Sequence, residues 1–145
     1  MDADQPPEGD ARPVLRPVGE VQSPLRDLDE APRQGDEGAP EAWIRFYDHV
    51  EPALRDIEAG SEILLLTWLD RADRDVVTVH PRGDTTRPVT GVFSTRSPHR
   101  PNPIGLHPVR VLGRDGLRLQ VSGLEAVDKT PVVDVKPLLG PTDER

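Results

Sequence analysis

The 145-residue sequence predicts a mainly β protein, a sheet or barrel of short strands with one short helix, and not a doubly wound α/β fold. Three observations carry this expectation. Short apolar or alternating runs recur at brief intervals from residue 62 onward. Glycines and prolines, 12 and 17 of them, punctuate those runs, and a single segment has its apolar residues at helical spacing. The length suits one domain with a real core and is too short for two.

Residues 1–13 are rich in Pro, Asp, Glu and Ala with almost nothing apolar, so burial cannot offset the entropy of ordering and a disordered acidic tail is expected. The domain is expected over residues 14–140, with 141–145 as a C-terminal tail. Val14 to Val21 alternates loosely and reads as a first strand. Ser23 to Pro40, with Pro24, Pro32, Gly35, Gly38 and Pro40, reads as a loop long enough to be functional or a partly mobile lid, its Ala31–Gly35 core ordered. Ala42 to Phe46 is a short strand. Val50, Leu54 and Ile57 stand at helical spacing, with Pro52 near the first turn and Gly60 as a stop, which predicts one amphipathic helix over residues 50–59.

Ile63 to Leu69 is continuously apolar and fits a central strand buried on both faces. Further strands are expected over residues 75–79, 90–94, 104–112, 117–121 and 131–135, with residues 113–116 forming a hairpin turn between two of them.

Composition removes several classes of chemistry. The chain has no cysteine, so disulfides, thiolate catalysis and Cys-ligated metals are excluded. No apolar run reaches the length of a membrane span and the acidic start lacks a secretory apolar region, so the cytoplasm is the expected location and no membrane is expected as a partner. There is no G-x-G-x-x-G, Walker lysine or G-x-S-x-G motif. The histidines at 49, 80, 99 and 107 are never spaced i, i+4 or set beside a carboxylate cluster, so no metal site is expected. Net charge is −8, of which −6 lies in residues 1–40, so a phosphate-binding surface could only be local.

Two segments could carry chemistry. Arg96 to Leu106 contains Pro98, Pro101 and Pro103, which stiffen an extended loop. Around it, residues 85–114 hold Arg87, Arg96, Arg100, Arg110 and Arg114 and no acid, and guanidinium forks on a stiff loop suit carboxylate or phosphate. The alternative is a Pro-rich connection whose arginines only solvate it. Leu124 to Pro131 groups Glu125, Asp128 and Thr130 as acceptors for hydroxyls or an amine; by itself it also reads as an Asx-type turn, and Asp134 beyond it as a residue on the wet face.

Together, "GEVQSPLRDLDEAPRQG", "FSTRSPHRPNPIGLHPVRV" and "VSGLEAVDKTPVVDVKPLL" resemble the TrmO/TsaA-type family of S-adenosylmethionine-dependent tRNA methyltransferases, over roughly Val18 to Leu139. The resemblance implies a small single-domain β-barrel unrelated to the Rossmann methyltransferases, a homodimer, and S-adenosyl-L-methionine held in a cleft between these loops. It also implies an acceptor in tRNA, N6 of the threonylcarbamoyl-adenosine beside the anticodon. Carried over by position, cofactor contacts are expected at Arg33, Gln34, Gly35, Leu69, Asp70, Arg96, Arg100, Leu106, Leu124, Glu125, Ala126, Val127 and Asp128.

Within that set, Arg96 or Arg100 suits the methionine carboxylate, and Glu125 or Asp128 the ribose diol or the ammonium. Backbone groups near Leu106 and Leu124 would frame the adenine. The reaction would be an in-line displacement at an already activated methyl, so alignment and desolvation can supply most of the acceleration. Asp70 or Asp128 is the candidate base.

The chain departs from the family in four places. Lys129 replaces a turn glycine, which should forfeit positive φ; Asp70 stands where histidine is frequent and His107 where serine is usual. The sequence also ends soon after Leu139, where bacterial enzymes of this type continue into a second domain. These departures leave two alternatives: methylation of a small nucleoside-like or specialised metabolite, or a non-catalytic S-adenosylmethionine-binding module.

Overall fold

A computed structural model describes residues 5–24, 41–80 and 84–139 of the chain. Its strands are β1 (Gly19–Gln22), β2 (Ala42–Phe46), β3 (Glu62–Trp68), β4 (Thr78–Val79), β5 (Thr90–Gly91), β6 (Ile104–Asp115), β7 (Arg118–Ser122) and β8 (Pro131–Pro137). Six of them pair in the order β1-β2-β7-β6-β3-β8, and β8 pairs back onto β1, so the ladder closes into a barrel with every pairing antiparallel. Closure removes the free edges that a short-stranded open sheet would expose. The two-residue strands β4 and β5 pair separately.

Alternation along the strands decides what fills the barrel. In β6, Gly105, His107, Val109 and Val111 face inward while Ile104, Leu106, Pro108 and Arg110 face out. Val21, Ile44, Leu65, Leu119, Val121 and Val132 are fully buried at the centre. Each such side chain stabilises the fold by roughly 1.5–3 kcal/mol through removal from water. The expected burial of both faces of β3 is corrected: Ile63, Leu65 and Thr67 are buried, whereas Leu64, Leu66 and Trp68 are only partly covered, because they face the outside of the ring.

The expected helix over residues 50–59 is instead a 3-10 helix, Asp48–Leu54, and no α-helix occurs among the described residues. Pro52 lacks an N–H, and Asp56 and Gly60 turn the chain through positive φ (73° and 94°), so an α-helical ladder cannot propagate. Leu54 is nonetheless buried, and Val50 and Ile57 pack against the core, so the apolar spacing served its purpose in a different backbone. The runs at 75–79 and 90–94 shrink to β4 and β5, with Val92–Ser94 forming a 3-10 turn. The hairpin turn falls at Gly116-Leu117, two residues beyond the expected centre, since Asp115 pairs directly with Arg118.

Register fixes the two ends of the barrel. Gln22 pairs with Trp43, Ala42 with Val121, Trp68 with Ile104, and Thr67 with Val132. The ends of β1, β3 and β7 and the starts of β2, β6 and β8 therefore share one mouth, and the 3-10 helix covers the other. Among the described residues no helix is long and apolar enough to cross a membrane.

Candidate functional site

The mouth gathers the segments singled out in the sequence: residues 69–75 after β3, the Pro-rich loop before β6, and the turn of residues 123–130 between β7 and β8. Arg33, Gln34 and Gly35 lie outside the described residues.

Side chains tie the first two segments together. The Arg74 guanidinium donates to the Pro101 carbonyl (2.7 Å) and to Asn102 Oδ1 (3.0 Å), and it lies 5.0 Å from the centre of the Trp68 ring. The Asp73 N–H donates to His99 Nδ1 at 2.9 Å, and the Leu69 N–H to the Pro103 carbonyl at 2.8 Å. Proline removes donors from the loop, and two of these contacts use the carbonyls of Pro101 and Pro103.

Arg100 and Arg96 separate in role. Arg100 donates from Nε to the Ser97 carbonyl (2.8 Å) and from Nη2 to the carbonyls of Val92 and Thr95 (2.6 Å each). Three backbone acceptors occupy the fork expected to hold a ligand carboxylate, so Arg100 braces the loop. Arg96 is exposed and makes no hydrogen bond or ion pair among the described residues. The acid-free arginine stretch is not a basic patch either. Arg87 meets Asp84 (3.6 Å), Arg110 meets Glu62 (3.0 Å) and Arg114 meets Glu51 (3.6 Å), and two of those acids come from elsewhere in the chain, Glu62 from β3 and Glu51 from the 3-10 helix.

The turn of residues 123–130 is stapled to β1. Val21 donates to the Thr130 carbonyl (2.9 Å), Lys129 donates to the Val21 carbonyl (2.7 Å), and the Ser23 N–H donates to Asp128 Oδ1 (3.0 Å). Lys129 adopts φ 68°, which corrects the expectation that replacing glycine forfeits this conformation. The surrounding hydrogen bonds impose it against a steric cost of about 1 kcal/mol. Leu124, Ala126 and Val127 are buried and belong to the core side of the turn, so they can offer a ligand little beyond backbone groups. Leu106 faces outward on β6, opposite Leu66, and the same limit applies to it. Asp70 is exposed where β3 ends.

Glu125 is the acceptor that the fold treats differently. Its Oε1 lies 2.5 Å from His107 Nδ1, and its Oε2 is buried without a hydrogen-bond partner among the described residues. His107 in turn places Nε2 2.7 Å from Thr67 Oγ1. Thr67 and His107 were not expected as a pair. Alternation along β3 and β6 would have put both on the inner face, but only the register Thr67↔Gly105 brings them to one level.

A cavity of about 520 Å³ opens at the opposite end of the barrel, between Val18, Val50, Leu54, Ile57, Ile63 and Val135. Its lining is mostly hydrocarbon, and none of the expected site residues borders it.

Residues 20–144 match the model of the tRNA-methyltransferase O N-terminal domain family. The chain is 48% identical over 123 residues to a probable S-adenosyl-L-methionine-binding protein of Archaeoglobus fulgidus, an alignment covering 85% of this chain and 33% of that protein. It is 43% identical over 123 residues to an S-adenosyl-L-methionine-binding protein of the same organism, covering 85% and 87%. The crystal structure of TrmO from Pseudomonas aeruginosa superposes with a TM-score of 0.70 at 29% identity, covering 92% of this chain and 61% of that one. The chain thus spans a third of the first relative, most of the second, and about three fifths of the solved TrmO chain.

Proposed function

The chain belongs to the tRNA-methyltransferase O N-terminal domain family, and from that membership we propose that it binds S-adenosyl-L-methionine at the barrel mouth and transfers its methyl group. The observation that carries this reading is the state of Glu125: one carboxylate oxygen is fixed on His107 and the other is buried with no partner, at the mouth where Arg96 is uncommitted. An amino acid with a ribose needs a donor for its carboxylate and an acceptor for its ammonium or diol, and this pair matches that requirement.

In this reading Arg96 takes the carboxylate, Glu125 Oε2 takes an ammonium or hydroxyl proton, and backbone groups beside Leu69, Leu106 and Leu124 to Val127 border the adenine. Arg33, Gln34 and Gly35, outside the described residues, are the further cofactor contacts that the family resemblance implies. Asp128 positions the turn through Ser23, and exposed Asp70 is the residue left to receive the acceptor's proton. The bound cofactor supplies a methyl on a sulfonium leaving group. The protein's task is then alignment and exclusion of water rather than nucleophilic attack.

The proposed acceptor is N6 of threonylcarbamoyl-adenosine in tRNA, with the protein acting as a homodimer. A second reading, transfer to a small nucleoside-like acceptor, is favoured by the neutralisation of Arg87, Arg110 and Arg114, which leaves little to attract a polyanion. Isotope-labelled methyl transfer to tRNA carrying the modified adenosine, run beside the free nucleoside, separates the two. Label in tRNA supports the first reading, label in the nucleoside alone supports the second, and binding without transfer to either leaves a cofactor-binding module.

A further inference from the structure

His107 is buried inside the barrel and bonded through both ring nitrogens to residues distant in sequence, Thr67 on β3 and Glu125 in the turn before β8. An ionised carboxylate only accepts, so the proton on the Glu125 side belongs to Nδ1. Thr67 can give or take a hydrogen bond at Nε2, and both ring positions are satisfied.

The Nε2 edge of the ring lies tight against the β6 backbone. Gly105 stands directly opposite Thr67 in the β3–β6 register, and a Cβ built on it would overlap both Thr67 Oγ1 and His107 Nε2. A clamped imidazole clamps Glu125 Oε1, and that in turn fixes the position of Oε2. Polar atoms buried without partners are rare because each forfeits its hydration, and a carboxylate oxygen left this way is suited to meet a donor from a ligand.

From this geometry we infer that His107 is a positioning residue acting through Glu125: it holds the carboxylate so that Oε2 meets one hydroxyl or ammonium of the cofactor, and thereby sets cofactor affinity. The inference rests on the proposed function and adds a residue to it. The imidazole touches no reacting atom. Its effect belongs to binding, so KM for the cofactor should change while kcat does not.

The test uses the full chain and titration calorimetry with S-adenosylmethionine. His107→Asn keeps an N–H at the Nδ1 position, and affinity should stay within about threefold of the original. His107→Gln reaches towards Thr67 but abandons Glu125, and affinity should fall by about tenfold or more, the loss typical of one hydrogen bond to a charged group. In a cycle with Glu125→Gln, the pair His107→Gln and Glu125→Gln together should bind no more weakly than Glu125→Gln alone.

Imidazole ¹⁵N spectra of the unliganded protein provide a readout that needs neither cofactor nor variant: Nδ1 should carry a proton. Equal losses in His107→Asn and His107→Gln, additive effects in the cycle, or a ring protonated only at Nε2 would overturn the inference while leaving the proposed function standing. Failure of the unaltered protein to bind the cofactor at all would sink both.

Discussion

The backbone N–H of Ser23 donates to the carboxylate of Asp128, 3.0 Å away and 105 residues later in the chain. This bond joins the first residue after β1 to the turn that carries Glu125. It makes Asp128 a support of the mouth, whatever else its carboxylate touches.

Asp128→Ala should therefore lower stability by about 1.5–3 kcal/mol, the range for a hydrogen bond to a charged group. Differential scanning calorimetry would register this as a fall in Tm of several degrees. Cofactor affinity should fall as well, with residual transfer at saturating cofactor. Complete loss of transfer in a variant that still binds at saturation would return Asp128 to the role of base.

Arg96 and Arg100 should respond differently to the same change. Arg100→Ala deletes donors to three carbonyls and should make residues 92–103 more susceptible to limited proteolysis. Arg96→Ala should leave stability within about 0.5 kcal/mol, as for an exposed site without partners, while weakening cofactor binding about tenfold or more. Unchanged affinity in Arg96→Ala would show that the methionine carboxylate is held elsewhere.

Gly105→Ala places a methyl group where Thr67 Oγ1 and His107 Nε2 already meet. Overpacking of this kind typically costs about 1–3 kcal/mol, readable as a denaturant midpoint shifted down at constant m. An unchanged midpoint would mean that the Thr67–His107 contact relaxes without penalty, against the picture of a rigid ring.

In the connection between β4 and β5, the carboxyl of Asp84 is held below its ordinary range by hydrogen bonds from the Thr86 hydroxyl and the Thr86 N–H. Because the folded value is lowered, its contribution to stability is present above the unfolded pKa and disappears as pH falls through the folded value. The turn of residues 84–87 should stay ordered at neutral pH and loosen in acid. Asp84→Asn should weaken that acid-dependent part. Carboxyl NMR titration checks the direction, and a midpoint at or above that of a model peptide would contradict it.

Much of the strand pattern was legible because strand formation is encoded locally. Ala42 to Phe46 and Arg118 to Ser122 alternate with a period of two, and Pro131 to Pro137 starts where expected. The helix was misread because the spacing of Val50, Leu54 and Ile57 says which residues pack inward but not which helical backbone Pro52 and Asp56 permit. Lys129 was misread for the opposite reason. Hydrogen bonds to and from Val21 hold it at positive φ, and no rule about lysine contains those neighbours.

By itself, then, the sequence determined a β protein with a stiff Pro-rich loop and an acidic turn, and through its motif strings the family. These are properties of short windows, where side-chain sterics and alternation act between near neighbours. Only the tertiary structure decided that Arg100 is consumed by carbonyls, that three other arginines find acids, and that Thr67, His107 and Glu125 form one buried chain. The reason is barrel closure: the register of β3 on β6 and of β8 on β1 sets which distant residues share a level, and the hydrogen-bond partners follow from that.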